Sequence, residues 1–323
     1  MLPPDSPAHV ETWLQMLATE RRLSDHTLQA YAQDLQHLIT LADDRPLDTL
    51  AEEDIRHFLV RLHGQGYQPR SLARMLAAWR NFFEWLRSRT GDSHNPTTYV
   101  RPPKASHPLP QVLSVDQAKA LLDRAGLPEP QDAIEWRDQA MFEVLYSSGL
   151  RLAELVSLDI HYIRTPDYTS RSWLHLPEQE AVVYGKGGKT RTLPLGGAAV
   201  KALQNWLKKR PELLAPTATP DSRAAVFLGM RGKRIHPRVV QRQLEKFAAQ
   251  AGLPTHVHPH TLRHSFASHL LQSAQDLRAV QELLGHRNIA TTQIYTQLDY
   301  QHLAKIYDQA HPRANRKKDD TSN

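Results

Sequence analysis

Residues 256–271 read HVHPHTLRHSFASHLL. Leu262, Phe266 and Leu270 recur every four residues, which predicts the buried face of a helix that begins near Pro259. His260 and Arg263 lie one turn apart at the edge of that face. Both fall in the first turn, where free backbone N–H groups and the helix dipole favour a bound anion. The stretch is therefore suited to holding a phosphate.

Two other interpretations of this stretch stay open on its residues alone. His260 and His264 have the i, i+4 spacing of paired zinc ligands, but HTLRH lacks the glutamate of the H-E-x-x-H motif, and Arg263 would repel a cation. Surface polar decoration is the third interpretation.

Further basic and hydroxyl side chains occur in three other segments. Arg151 stands among leucines in LYSSGLRLAELVSL (residues 145–158), and its unpaired burial would be costly, so it requires a partner. Lys186 and Lys189 fall at the predicted hairpin tip of VVYGKGGKTRTLPL (residues 182–195). His286 directly follows a helix-ending Gly285. Tyr295 comes nine residues later.

Each of these residues has an ordinary structural explanation, but the set matches one chemistry. Two guanidinium groups can hold phosphate oxygens bidentately and stabilise the charge that develops in phosphoryl transfer. A tyrosine hydroxyl can attack phosphorus, and a lysine can protonate the leaving oxygen. No metal and no cofactor is required by this scheme.

Composition and charge limit the classes of protein to which this chain can belong. The chain of 323 residues is long enough for two domains. The absence of cysteine excludes disulfides, thiolate nucleophiles and Cys-based zinc sites. The sequence contains no membrane-length apolar run and no signal peptide, which predicts a cytosolic protein. Residues 1–106 carry 12 basic and 13 acidic residues, whereas residues 107–323 carry 28 and 21. Such a basic half is typical of a protein with a polyanionic partner, and ordinary solubility charge explains it equally well.

The pattern along the chain predicts two domains and a linker. Residues 1–92 read as a four-helix domain, with Ser24 capping the second helix and an aromatic stripe in the fourth that forms core. The proline-rich residues 93–112 read as an extended linker. Residues 113–312 read as a mixed domain that begins with a helix capped by Ser114. Residues 313–323 read as a charged, disordered tail.

Within the mixed domain the pattern predicts helices around a few short strands. Gly149 ends one helix, and SWLHLP and the two arms of the lysine hairpin read as strands. AVFLG (residues 225–229) reads as a further strand.

The strings GLRLAELVSLD, HPHTLRHSFASHLL and LLGHRNIATTQIYT together resemble the tyrosine recombinase, or lambda-integrase, family, and within it the Xer chromosome-dimer resolvases. The resemblance covers about residues 8–315. It implies a mainly α fold with a small β-sheet in the C-terminal domain, in which a SAM-like core-binding domain and a catalytic domain form a C-shaped clamp on DNA.

The resemblance also implies a role for each candidate residue. Tyr295 would be the nucleophile that forms a 3′-phosphotyrosyl link, and Lys186 the general acid. Arg151, Arg263 and His286 would hold the scissile phosphate, and His260 would assist proton transfer from the tyrosine. Glu154 would orient the helix after Arg151.

For partners, the resemblance implies a double-stranded, dif-like DNA site and a homologous sister recombinase in a two-plus-two tetramer. It also implies a septum-located DNA translocase and no membrane. Two functions remain as alternatives: type IB topoisomerase-like strand relaxation, and non-catalytic DNA binding. Lys189 rivals Lys186, and the connection between Arg151 and Lys186 is longer than is usual in the family, which predicts an enlarged loop before the hairpin.

Overall fold

The computed structural model describes residues 6–21, 23–43, 45–90, 94–104, 112–123, 128–185, 190–253 and 257–273. The chain divides into two compact units, Met1–Pro108 and Leu109–Asn323. Each unit has a hydrophobic core of its own. Within the described part of the chain, every helix is too short or too polar to cross a membrane.

The first unit contains the four predicted helices. They are α1 (Ser6–Thr19), α2 (Asp25–Ala42), α3 (Glu52–Gly64) and α4 (Pro69–Thr90), with a 3-10 turn at Leu47–Thr49. Ser24 caps α2 as predicted, because its Oγ accepts a hydrogen bond from Thr27 N at 3.3 Å.

The aromatic stripe of α4 forms the centre of the first core, as predicted. Trp79 and Phe82 are fully buried, and Trp13 of α1 meets Phe82 edge-on at 5.7 Å between ring centroids. The indole N–H of Trp79 donates a hydrogen bond to Asp34 O at 2.7 Å, so the polar atom of this buried ring has a partner. These rings are consequently closed to base stacking.

Part of the predicted linker packs against this unit. Arg80 donates to the carbonyls of Thr97 and Val100 at 3.2 and 3.0 Å, and both of these residues are buried. Residues 94–100 therefore belong structurally with the four helices.

The second unit surrounds a small sheet with helices. The helices are α5 (Val115–Leu122), α6 (Ala133–Ser148), α7 (Leu152–Val156), α8 (Gly197–Lys209), α9 (Pro220–Ala224), α10 (Pro237–Gln250) and α11 (Pro259–Ser273), with a 3-10 turn at Arg210–Leu213. The strands are β1 (Leu158–Asp159), β2 (Arg164–Thr165), β3 (Tyr168–Thr169), β4 (Ser172–His175), β5 (Glu180–Tyr184) and β6 (Thr190–Pro194). The main sheet has the order β1-β4-β5-β6, in which β1 is parallel to β4 and the other pairs are antiparallel, while β2 and β3 form a separate hairpin.

Helix α6 lies at the centre of the second core. It is buried over almost its whole length, and α8, α10 and α11 pack against it. Asp132 caps its start, and Gly149 ends it in the left-handed conformation at φ 58°, as predicted. The end of this central helix therefore fixes where the following segment, with Arg151, begins.

The predicted strand at residues 225–229 is wrong. The segment forms only isolated bridges, Asp159 with Ala225 and Leu228 with Arg234. Val226 and Phe227 are buried, so the apolar run marks the core, but its backbone bonds go to single residues on different segments rather than to one neighbouring strand.

Candidate active site

Arg151 occupies the N-cap of α7, directly after the turn that ends α6. Its backbone N–H donates to Glu154 Oε2 at 2.8 Å, and its Nη1 donates to Glu154 Oε1 at 3.0 Å. Glu154 is only 5% exposed. The buried carboxylate thus orients both the backbone and the guanidinium of Arg151 at the start of α7.

Arg191 on β6 is a second partner of Glu154, and the sequence analysis missed it. Its Nη1 and Nη2 donate to Oε1 and Oε2 of Glu154 at 2.8 and 2.9 Å, a bidentate pair. Burial opposes ionisation of Glu154, but the hydrogen bonds and charge of Arg191 and the hydrogen bonds of Arg151 outweigh it and hold the pKa of Glu154 below its ordinary value. Arg191 lies two residues beyond Lys189, and no local pattern separates it from the neighbouring hairpin residues.

His260 and Arg263 lie in the first turns of α11. Leu262, Phe266 and Leu270 are buried, so the predicted apolar face is confirmed. Arg263 is also buried, and its Nη1 donates to the carbonyl of Gly149. This bond joins the start of α11 to the turn that precedes Arg151.

The electrostatics of these side chains show that they share one site. Burial, followed by the nearby charge of Arg151, lowers the pKa of Arg263 to about 10, although Glu154 acts in the opposite direction. Burial also lowers the pKa of His260, followed by His264, Arg263, His258 and Arg151. His260 is therefore neutral at neutral pH and able to accept a proton.

The described part of this site is short of negative charge. The guanidinium groups of Arg151, Arg191 and Arg263 all interact with the single carboxylate of Glu154. Excess positive charge in a partly buried setting is costly until an anion binds. The arrangement is suited to a phosphodiester, whose oxygens would accept hydrogen bonds from the guanidinium groups.

A cleft of about 430 Å³ opens beside the first turn of α11. Its lining residues are Leu152, Gln241, His258, Pro259, His260, Thr261 and His264. The sequence analysis did not predict that Gln241 of α10 and His258 line this cleft. Among the residues that the structure describes, no three histidine, aspartate or glutamate side chains are positioned to share a metal ion.

Three of the six predicted site residues lie outside the described residues: Lys186, His286 and Tyr295. Lys189 does as well. Of the predicted set, the structure therefore brings together Arg151, His260 and Arg263.

Two family models match the sequence. Residues 111–302 match the phage integrase family, and residues 10–90 match the phage integrase N-terminal SAM-like domain. The division between the two units, after Pro108, falls between the two matched ranges.

Curated relatives match over nearly the whole length. The chain is 48% identical over 322 residues to tyrosine recombinase XerC 1 of Ralstonia nicotianae, covering 97% of both chains. It is 50% identical over 313 residues to tyrosine recombinase XerC of Ralstonia pickettii, covering 95% of this chain and 94% of that one.

Solved structures show the same fold. A lambda integrase dimer bound to a COC′ core site matches with a TM-score of 0.63 at 17% identity, covering 90% of this chain and 98% of that one. The XerH site-specific recombinase bound to a palindromic difH substrate matches with a TM-score of 0.62 at 21% identity, covering 94% and 84%.

Proposed function

This chain belongs to the phage integrase family of tyrosine recombinases, and we propose that it cuts and rejoins DNA through attack of Tyr295 on a backbone phosphate. Attack on phosphorus would form a 3′-phosphotyrosyl ester and release the 5′-oxygen as a hydroxyl. The 5′-hydroxyl of a partner strand would then attack the ester, restore the phosphodiester and free the tyrosine. The ester conserves the bond energy, so the cycle requires no nucleotide cofactor.

The observation that carries this proposal is that half-buried Arg151 and buried Arg263 share the carboxylate of Glu154, with the exposed His260 close to both arginines in the described part of the site. In the proposed mechanism the two arginines bind the non-bridging oxygens of the scissile phosphate and stabilise the charge of the pentacoordinate transition state. Neutral His260 accepts the proton that leaves the tyrosine.

The other three roles follow from the sequence match. Lys186 donates a proton to the leaving 5′-oxygen, with Lys189 as the rival, and His286 adds a third contact to the phosphate. These assignments stay predictions, as do the domain boundaries at residues 92, 112 and 312.

Covalent capture tests the mechanism. Nicked suicide duplexes that carry candidate dif-like sites should trap the wild-type chain as a protein–DNA adduct on a denaturing gel. Tyr295→Phe should abolish the adduct and retain duplex binding, whereas the matched change Tyr300→Phe should leave the adduct in place. Adducts that persist in Tyr295→Phe would refute the assignment.

The same experiment separates the alternative functions. A chain that binds these duplexes but never forms an adduct would be a non-catalytic DNA-binding protein. Adducts that religate only their own strand, without exchange between two sites, would indicate type IB topoisomerase-like relaxation.

We further propose that the chain resolves chromosome dimers at cell division, in the cytoplasm, with an XerD-like sister recombinase in a two-plus-two assembly on a dif-like site. A septum-located DNA translocase would complete the system. The supporting observation is the near-full-length identity to proteins named XerC. Deleting residues 300–323 should retain binding to a half-site and abolish cooperative binding with the sister protein. Normal recombination by the truncated chain would contradict this role for the C-terminal segment.

A further inference from the structure

A small hairpin interrupts the connection between Arg151 and the lysine hairpin. We call residues 162–171, which contain β2 and β3 joined at Pro166 and Asp167, the insertion hairpin. It is the structure that the unusually long connection adopts, and the proposed chemistry does not use it.

The insertion hairpin is held in place by buried polar contacts. The Tyr168 hydroxyl lies 3.0 and 2.9 Å from the two carboxylate oxygens of Asp159, which is fully buried. Arg234 Nη2 donates to the same hydroxyl at 2.8 Å and to Asp159 at 2.7 Å. At the base of the hairpin, Ser170 exchanges two hydrogen bonds with Ile163, one through its backbone N–H at 2.8 Å and one through its Oγ at 2.9 Å. It is a built feature with a fixed orientation.

Strand register places Arg171, the last residue of the insertion hairpin, at the end of the main sheet where β5 leads to the lysine hairpin. Trp173 of β4 pairs with Val182 of β5, so two residues earlier Arg171 falls opposite Tyr184, just before Lys186 in the sequence. Ser172 Oγ accepts a hydrogen bond from Tyr184 N at 3.1 Å and another from the hydroxyl of Ser157 at 3.1 Å. Ser157 is the C-cap of α7, the helix that Arg151 begins.

The outward surface of the insertion hairpin is basic. Arg164 and Arg171 are exposed, and neither forms an ion pair with another residue that the structure describes. Asp167 is the only acidic residue between positions 160 and 171. Two exposed guanidinium groups on a fixed support, beside a site built for one phosphate, match the next phosphates of the same polymer.

We propose that the insertion hairpin is an additional DNA-contacting element, in which Arg164 and Arg171 bind backbone phosphates of the duplex outside the scissile position. The inference rests on the proposed function for its ligand, duplex DNA. It predicts a contribution to affinity that does not depend on base sequence.

The salt dependence of DNA binding measures this contribution. The probe is a fluorescent duplex of about 30 base pairs with arbitrary sequence, titrated with the full chain at roughly 50–200 mM salt. Because each neutralised phosphate contributes a slope of about 0.9, Arg164→Ala/Arg171→Ala should reduce the slope of log K against log salt by about 1.8.

A matched control removes the same charge from another face of the unit. Lys201→Ala/Lys208→Ala changes two exposed lysines of α8, which begins at the opposite end of the sheet, where Leu195 N bonds to Gln179 O at 2.7 Å. This variant should retain the wild-type slope. Thermal melts by circular dichroism establish that both variants are folded.

An unchanged slope in the arginine variant would overturn the inference. So would normal binding of single duplexes combined with loss of pairing between two protein copies, since that result would make the insertion hairpin a protein interface. Failure here is distinct from failure of the proposed function: a wild-type chain that forms adducts while the arginine variant keeps its slope refutes only the hairpin contact.

Discussion

Replacing Arg191 by methionine should destabilise the second unit and misplace Arg151, although Arg191 belongs to no motif of the sequence. Methionine retains much of the side-chain volume but removes both hydrogen bonds to Glu154, at 2.8 and 2.9 Å. The side chain of Arg191 is 12% exposed and that of Glu154 is 5% exposed, so water cannot replace the lost bonds.

The expected cost is about 3 kcal/mol. Breaking a buried ion pair by removing one partner typically costs about 3–5 kcal/mol, and the lower end applies because Arg151 still donates to the carboxylate. Urea denaturation should show a lower midpoint with an unchanged slope. The rate of adduct formation should fall as well, because Arg151 would be the only arginine left to pair with Glu154 and its guanidinium would shift from its place in the site.

Two companion variants sharpen this test. Arg191→Lys keeps the charge but loses the bidentate geometry, and should fall between wild type and Arg191→Met in both measurements. Arg191→Met/Glu154→Leu removes the buried pair together, and should regain stability without regaining the adduct rate, since Arg151 then lacks its orienting carboxylate. A loss below about 1 kcal/mol in Arg191→Met, with a normal adduct rate, would refute the reasoning.

Four further expectations concern pH, anchoring, backbone conformation and metal. Because the pKa of His260 is lowered, the neutral imidazole persists at pH values below the ordinary pKa of histidine. The adduct rate should therefore stay level as pH falls to about 6.5 and decline only below that pH. His260→Ala should remove the decline from the pH profile. Tyr168→Phe should cost about 2 kcal/mol in urea denaturation, because it removes a hydrogen bond to a buried carboxylate; no change in midpoint would contradict the anchoring described above. Gly232→Ala should cost about 3 kcal/mol, since Gly232 has φ 68° and a Cβ there would lie 2.7 Å from two backbone atoms, whereas Gly66→Ala, with open space around it, should cost less. Adduct formation should proceed in excess EDTA, and a strict Mg²⁺ requirement for cleavage would contradict a mechanism that relies on basic side chains.

Local features of the sequence were sufficient to predict the helical framework. The caps at Ser24, Ser114 and Gly149 were predicted, because a cap depends on hydrogen bonds to residues only three or four positions away. The buried stripes of α4 and α11 were predicted for a related reason: helical periodicity decides which side chains share a face before any neighbour is known.

Three of the six predicted site residues lie in the described part of the chain, and the sequence signals that singled them out are also local. Arg151 follows a helix-ending glycine, and His260 and Arg263 occupy the first turns of a helix that proline begins. The approach of Arg263 to Arg151 and Glu154 required the fold, since Gly149 and Arg263 are 114 residues apart.

What only the tertiary structure decided are the contacts between distant segments. Arg191 reaches Glu154 across 37 residues, and nothing in its own neighbourhood distinguishes it from a solvated hairpin arginine. The segment at residues 225–229 has the apolar composition of a strand but lacks a continuous partner strand. The insertion hairpin exists because Tyr168 meets Asp159 and Arg234, the latter 66 residues away. Periodicity and capping act within a few residues, whereas ladders and buried ion pairs depend on which surfaces folding brings together.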